Sequence, residues 1–469
     1  MNYAEFAMIR FGTGRSPYHD GPATPEDLMA SLRDEEITTR FPAMDGDQAR
    51  AHLAEFQQID KAAKGRAKAD PPKPDNREAR RARRAEKARR ERVLYTGLQA
   101  RLARALDDPI GFADRLTFFW STHFSMRSGK LNHRYLIEAF QEDVIRRHQY
   151  GSFADLLRAA TLHPAMLIYL DQSSSVGPRS PRAVRLQTKQ RRTVGLNENH
   201  ARELLELHTL GVGGSYTQDD VRQLAELMTG VTIDKQYRFI FDPKRVEPGA
   251  ETVLGASYGG ARPPDLAELE SFLDDLAAHP DTAAFISRKL ATHFCADQPP
   301  PALVADLTAR FKETDGDLMA AYALLASHPL ARESFGQKVR QPRDLIIAGL
   351  RTMGISGEEV MAWPGKVLRR NYLQPLIRMG QNNLGAPSPE GWPEDAAAWL
   401  TPQFLAARID FAMTTPRQLR KRALPDPREL VHQALAEQAA AEVALVASRA
   451  ESPVEGIGVI LASPQFNRR

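Results

Sequence analysis

The sequence predicts a mainly α protein: one multi-helix body with at most a small β-hairpin or sheet near residues 231–258. Three observations carry that reading. Apolar residues recur at helical spacing along most of the chain, and few stretches alternate with period two. Three His-Pro pairs, at 163–164, 279–280 and 328–329, each stand between Leu/Ala-rich runs. The residue before proline avoids the helical region and proline suits a first helical position, so these pairs read as helix-to-helix corners rather than as recurring imidazoles at a site. The β-favouring residues gather in one place, where Tyr237–Phe241 and Thr252–Leu254 flank Pro248-Gly249 as an expected hairpin.

Taken in order, the first clear element follows the break Pro71-Pro72-Lys73-Pro74 and runs from about Arg77 to Leu106. Its second half places Leu94, Leu98, Leu102 and Leu106 four apart, a buried stripe. Its first half has only alanine between charges, so 67–92 is expected to project as a basic linker and half-helix. Asp107-Asp108-Pro109 ends the helix, and Phe112 to Phe124 resumes as an aromatic, buried segment. Residues 197–211 form a helix capped by Asn197 or Asn199 and closed by Gly211. Thr217 and Asp220 make a capping box that opens the next helix, which ends at Gly230. These two helices do not make a DNA-binding helix-turn-helix, because the connection is long and the second helix opens with Asp219 and Asp220, which repel phosphate. Leu266–Phe335 and Glu429–Ala447 return to helical spacing, and Gly385–Trp399 reads as a loop. The 469 residues make one family-wide domain, 1–469, with no marked linker beyond residues 67–76 and no solenoid repeat.

Composition excludes several classes. With 63 Lys+Arg against 59 Asp+Glu the net charge is +4, but 14 basic and 5 acidic residues fall between Lys61 and Arg92, so the rest of the chain is net acidic. A second basic stretch, 172–196, carries Arg179, Arg182, Arg185, Lys189, Arg191 and Arg192 without an acid, and reads as a surface loop. A single cysteine, Cys295, forms no intrachain disulfide. No apolar run is long enough to span a membrane, and the first residues do not form a secretory signal, so the cytoplasm is the default compartment. Walker, HExxH and paired CxxC motifs are missing. Gly255-Ala256-Ser257-Tyr258-Gly259 matches the nucleophile-elbow pattern, yet Gly260 and Pro263-Pro264 follow where a helix must open, so it reads as a glycine-rich turn.

The stretch NENHARELLELHTLGVGGSYTQDDV with LAELMTG resembles the signature of the bacterial domain-of-unknown-function 1800 family. RFGTG, FADRLTFFWSTHFSM, HPAMLIYLD, AAHPDTAAFISRKLATHF, the MGQN and GWPE stretches and the terminal ASPQFNRR resemble further blocks of it, in order, almost end to end. The resemblance implies a helical architecture and leaves the chemistry open. It also implies a gene neighbour, a sulfatase/phosphatase-like protein of the domain-of-unknown-function 1501 family, and export together with that partner. One departure stands out: where relatives carry a His-Asp pair before a Pro/Gly turn, this chain has Val246-Glu247-Pro248-Gly249.

The candidate catalytic residues are Glu198, Glu203, Glu206 and His208 on one helix, with His123 as a base that a helix carboxylate could orient. Glu203 and Glu206 have the spacing that lets two carboxylates share a metal, although no helix supplies the Glu-x-x-His that helix-bundle di-metal sites need, so metal and cofactor stay unassigned. The plain alternative is a salt-bridged helix face with a core histidine. Arg185, Arg191, Arg192 and Trp392 are the candidate substrate-binding residues; Trp392 and Trp399 suit either a sugar-stacking platform or an aromatic plug. The leading functional expectation is a hydrolase or lyase on an anionic or cell-surface polymer. The rivals are a non-catalytic partner of the phosphatase-like protein and, weakest, nucleic-acid binding, since the basic run 61–92 has no aromatics among its charges.

Overall fold

The computed structural model describes the chain except residues 70–76, 129, 189–194, 261–263, 383–384 and 420–422. Among the described residues helices dominate, and the β structure is four strands of three or four residues each. Among the described residues no helix is long and apolar enough to cross a membrane.

The long helix Arg77–Asp107 follows the sequence stripe: Leu94, Leu102 and Leu106 are buried. Its basic first half is exposed over 77–85 where described, as the projecting reading expects, and meets the helix Gly46–Ala69 only near its end. There Arg90 pairs with Asp60 at 2.9 Å and covers the Phe56 ring at 4.3 Å, and Arg89 pairs with Glu55 at 3.1 Å. The three His-Pro corners are corners, and the imidazoles have a job there. His163, His279 and His328 are each the residue before a helix, and each Nδ1 accepts the backbone N–H of Ala165, Asp281 or Leu330 at 3.1–3.2 Å. The ring thus takes the place that serine or aspartate usually fills at a helix start, while proline occupies the first turn without an N–H to satisfy.

The β structure corrects the expected hairpin. Two separate hairpins form: β1 (Val231–Ile233) pairs with β2 (Phe239–Phe241), and β3 (Ala250–Val253) pairs with β4 (Ala256–Gly259). Pro248-Gly249 is not the turn of either. The first turn is made by Asp234, whose side chain accepts the N–H groups of Gln236 and Arg238 at 2.8 and 2.9 Å. The second is Leu254-Gly255, both at positive φ (51° and 80°), the turn geometry that matches strand twist. Ser257 therefore sits on a strand beyond a glycine turn, and no elbow exists.

Two apolar clusters organise the rest. The first is built on the helices Phe112–His123, Phe153–Leu162 and Pro280–Phe294, with Leu94 of the long helix. The second is built on Pro342–Thr352, Pro402–Gln418 and Pro453–Ala462, with Leu102 and Leu106. Between them runs a buried polar seam. Asp344 takes the guanidinium groups of Arg115 and of Arg469, the latter at 2.6 Å, and Arg115 Nη2 contacts His293 Nε2 at 3.0 Å. His293 Nδ1 is 2.7 Å from Glu394 Oε1, and Lys338 Nζ bridges Glu394 Oε2 at 3.0 Å and Asp297 Oδ1 at 2.8 Å. Burial works against the charge on Glu394, yet His293 and Lys338 overcome it and hold its carboxyl well below the usual range.

Candidate functional site

The helix that carries the signature starts where Asn197 Oδ1 accepts the N–H of Asn199 at 2.9 Å. It is α-helical over Asn199–Glu203 and switches to π-helix over Leu204–Thr209 before Gly211 closes it at φ 86°. The switch was invisible in the periodicity, and it decides where the charges go. Glu198 and Arg202, in the α part, pair at 3.2 Å, and Glu198 also accepts Gln218 Nε2 at 2.9 Å. Glu206, carried round by the wider turn, hydrogen-bonds Tyr216 instead of continuing the ladder. Such wide turns recur at functional sites. Glu203 and Glu206 are half-buried, while Ala201, Leu204, Leu205 and His208 are buried, as the apolar stripe requires. Burial, then the neighbouring Glu206, raises the carboxyl of Glu203, against Arg202. Burial and Glu203 in turn raise the Tyr169 hydroxyl, and Arg127 opposes them.

On the opposite side of this helix lie the histidines. His123 is buried and its Nε2 meets the backbone carbonyl of His208 at 3.1 Å, with the two rings 6.1 Å apart. The structure gives His123 a carbonyl rather than a carboxylate, because the glutamates point the other way. His200 is also buried, with neither ring nitrogen hydrogen-bonded. Burial lowers His200 to about 3; burial, His200 and Lys289 lower His208 to about 3. Burial, with Lys289 and His208, sets His123 well below the ordinary histidine value. All three are neutral at pH 7. Lys289, over the Phe285 ring at 5.3 Å, is lowered to about 8 by burial, against Glu394 and Glu390.

Two clefts flank the chain at residues 124–128. One, of about 360 Å³, is lined by Arg127, Lys130, His133 and Tyr169, the tyrosine that feels Glu203. The other, of about 170 Å³, lies between the helices Phe112–His123 and Leu131–Phe140 and the loop that carries Trp392. Ile137 lines both, so they adjoin. Two glycines press that loop onto the helix end. A Cβ on Gly385 (φ 103°) would come within 2.3 Å of the Met126 carbonyl oxygen, and one on Gly391 (φ 102°) within 2.5 Å of that of Thr122. Trp392 is thereby held on the cleft wall, half-buried and 6.0 Å from Trp399. Trp399 is the plug: it is buried and donates its Nε1–H to Pro393 O at 2.9 Å. Two more π-helical turns, Gln141–Arg146 and Arg369–Leu373, lend Gln141 and Tyr372 to the same cleft.

The structure thus keeps Glu203 and Glu206 together on the half-buried face of the signature helix, with Glu203 acting on Tyr169 of the first cleft, and places Trp392 at the second. Glu198 is tied to Arg202 and Gln218, and His123 and His208 stand behind the helix. Of the basic stretch, Arg179 pairs with Glu247 at 2.5 Å and Arg182 with Asp242 at 3.6 Å, Arg185 lies exposed on the helix Pro181–Thr188, and Arg191 and Arg192 lie outside the described residues. Sequence reasoning missed His200, Lys289 and a trio of buried carboxylates, Glu226, Glu247 and Glu251. Glu251 is raised to about 7 by burial and by its hydrogen bond to Glu226. His200 was legible four residues before Leu204 on the buried face; the trio was not, since its members come from a helix, a loop and a strand. Glu247, at the departure from the family pattern, accepts the N–H of Arg179 at 2.9 Å. Among the described residues no group of three or more His, Cys, Asp or Glu could hold a metal ion.

These features define a helical scaffold whose loops and wide helical turns build one mixed aromatic and ionic groove. A family model described as protein of unknown function (DUF1800) matches residues 7–468, and the chain belongs to that family. No curated protein and no solved structure matches it.

Proposed function

We propose that the protein is an acid–base enzyme, a hydrolase or lyase acting on an anionic or cell-surface polymer, with Glu203 and Glu206 as its working pair. The observation that carries this reading is the pair itself: two half-buried carboxylates side by side, with burial and Glu206 raising the carboxyl of Glu203. A carboxyl raised by burial and a neighbouring carboxylate suits a general acid, so Glu203 donates a proton to a leaving oxygen and its neighbour Glu206 takes the part of the base toward water or the substrate. Glu198 fixes Arg202 beside the pair, and His123 and His208 position the turn from behind. Arg127 and Lys130 on the neighbouring cleft suit a polyanion. The test is turnover of a panel of acidic polysaccharides (polygalacturonate, alginate, hyaluronan), read as new reducing ends and as unsaturated products. Cleavage of one of them by the wild type and its loss in Glu203→Gln is the expected result. No cleavage of any, or full activity of Glu203→Gln, overturns the reading.

A second reading, the non-catalytic partner of a sulfatase/phosphatase-like protein, draws on Ile377, Leu405 and Ile409, which leave 55, 45 and 46% of their surface exposed on two touching helices. Co-expression with the neighbouring gene product, followed by sedimentation, tests it: a stable complex lost in Ile409→Asp supports it, and two independent species reject it.

A further inference from the structure

Charges already paired inside a protein recruit little, whereas a charge left over next to a cavity recruits a counter-ion. Around the Trp392 cleft, Arg343 holds Asp114 through two contacts of 2.9 and 2.8 Å, and Arg101 pairs with Glu138. Arg134 also lines this cleft, from the helix Leu131–Phe140, and its guanidinium makes no hydrogen bond or ion pair with the described residues. Arg127 and Lys130, at the adjoining cleft, are likewise without an ion pair among them. These cations therefore stand at two adjoining clefts, of which the second is lined by Tyr169, the residue that feels Glu203. The aromatic lining of the Trp392 cleft includes Trp392 itself, Phe118 and Tyr372. A volume of about 170 Å³ leaves space for a sugar-sized ring.

We propose that this cleft is a binding subsite for a single hydroxylated ring bearing one anionic group, with Arg134 on the anion and Trp392 against the ring's apolar face. The ionic pairs Arg343–Asp114 and Arg101–Glu138 offer both donors and acceptors to hydroxyls, which a neutral apolar ligand would leave unpaired. The inference rests on the acid–base reading in one respect: the ring is one unit of the polymer whose next linkage reaches Glu203.

Binding is measured by calorimetry and tryptophan fluorescence with glucuronate, galactose 6-sulfate, galactose and inorganic sulfate. The wild type is expected to bind at least one of the two anionic sugars, with galactose at least ten-fold weaker and sulfate leaving the fluorescence unchanged; which sugar binds identifies the anion as carboxylate or sulfate. Arg134→Gln and Trp392→Ala each weaken that binding at least ten-fold, and Trp392→Phe restores most of it. Glu203→Gln binds as the wild type does. No sugar binding by the wild type, or unchanged binding by a folded Arg134→Gln, overturns the subsite. If polymer cleavage depends on Glu203 while Arg134→Gln binds normally, the acid–base reading stands and the subsite falls; if the subsite binds and nothing is cleaved, the reverse holds.

Discussion

The polar seam and the groove use the same residue types for opposite ends. In the seam, the carboxylates answer cations from other segments of the chain: Asp344 serves Arg115 and Arg469, and Glu394 serves His293 and Lys338. At the clefts, Arg134 has no such partner among the described residues, and on the signature helix Glu206 disfavours the charge of Glu203. Buried charge that is paired holds two apolar clusters in register; charge left unpaired beside a cavity is a cost that folding alone does not explain.

The largest effect should come from breaking the seam. Asp344→Ala leaves two buried guanidinium groups, Arg115 and Arg469, without their carboxylate. Removing one partner of a buried ionic group costs about 3–5 kcal/mol. Urea unfolding should show that loss; a change within about 1 kcal/mol, as for an exposed pair, would mean the seam is ornamental.

A smaller effect of the opposite sign is expected at the carboxylate trio. Glu251 titrates near 7 in the folded protein because burial and Glu226 disfavour its charge, while an unfolded glutamate titrates near 4.5. A raised folded value means that its stabilising contribution is present below the unfolded value and is lost as pH rises through about 7. Glu251→Gln should therefore be more stable than wild type at pH 8, by about 1–3 kcal/mol, and the gain should disappear below the unfolded value, by about pH 4. Denaturation at both pH values decides it.

The histidine cluster titrates the other way. His200 and His208 are lowered to about 3 by burial, so they stabilise the fold above the unfolded value of 6.5 and that stability is lost as pH falls toward 3. Each contributes a slope of about 1.4 kcal/mol per pH unit in that window. His200→Leu removes a buried ring with two unpaired nitrogens, so it should flatten the acid slope by one histidine's share and leave pH 7.5 stability equal or higher. An unchanged slope would show that His200 is not the group being desolvated.

Legibility in the sequence followed locality. The stripe Leu94–Leu106, the His-Pro corners and the Thr217–Asp220 box were readable because spacing and one or two neighbours determine them, and the box forms as expected, with Asp220 N donating to Thr217 Oγ1 at 3.2 Å. The hairpins were misassigned because the turns belong to Asp234 and to Leu254-Gly255, residues whose conformation no alternation reveals. At the site, Glu203, Glu206 and Trp392 could be named, since residue type and helix face suggest them. The π-turn that separates Glu206 from Arg202, the two glycines that seat Trp392, and the free Arg134 depend on contacts with segments far away in the chain.

The smallest expected effect bears most directly on the groove. Glu203→Gln keeps the size and hydrogen-bonding capacity of the side chain and removes only its charge. Burial and Glu206 raise the folded-state carboxyl, so ionising Glu203 costs the fold something that an unfolded chain does not spend. The sign is that of Glu251: wild type loses stability relative to the glutamine variant as pH rises through the raised value. Because Glu203 is half-exposed and solvent screens it, the difference at pH 7 should stay below about 1 kcal/mol and should favour the variant. A structural ion pair would behave oppositely, since losing its charge would destabilise the fold at neutral pH. A glutamine variant that is equally or more stable, yet inactive on the polymer, separates a residue kept for chemistry from one kept for folding. A variant clearly less stable at pH 7 than at pH 4, relative to wild type, would move Glu203 to the seam's side of the comparison.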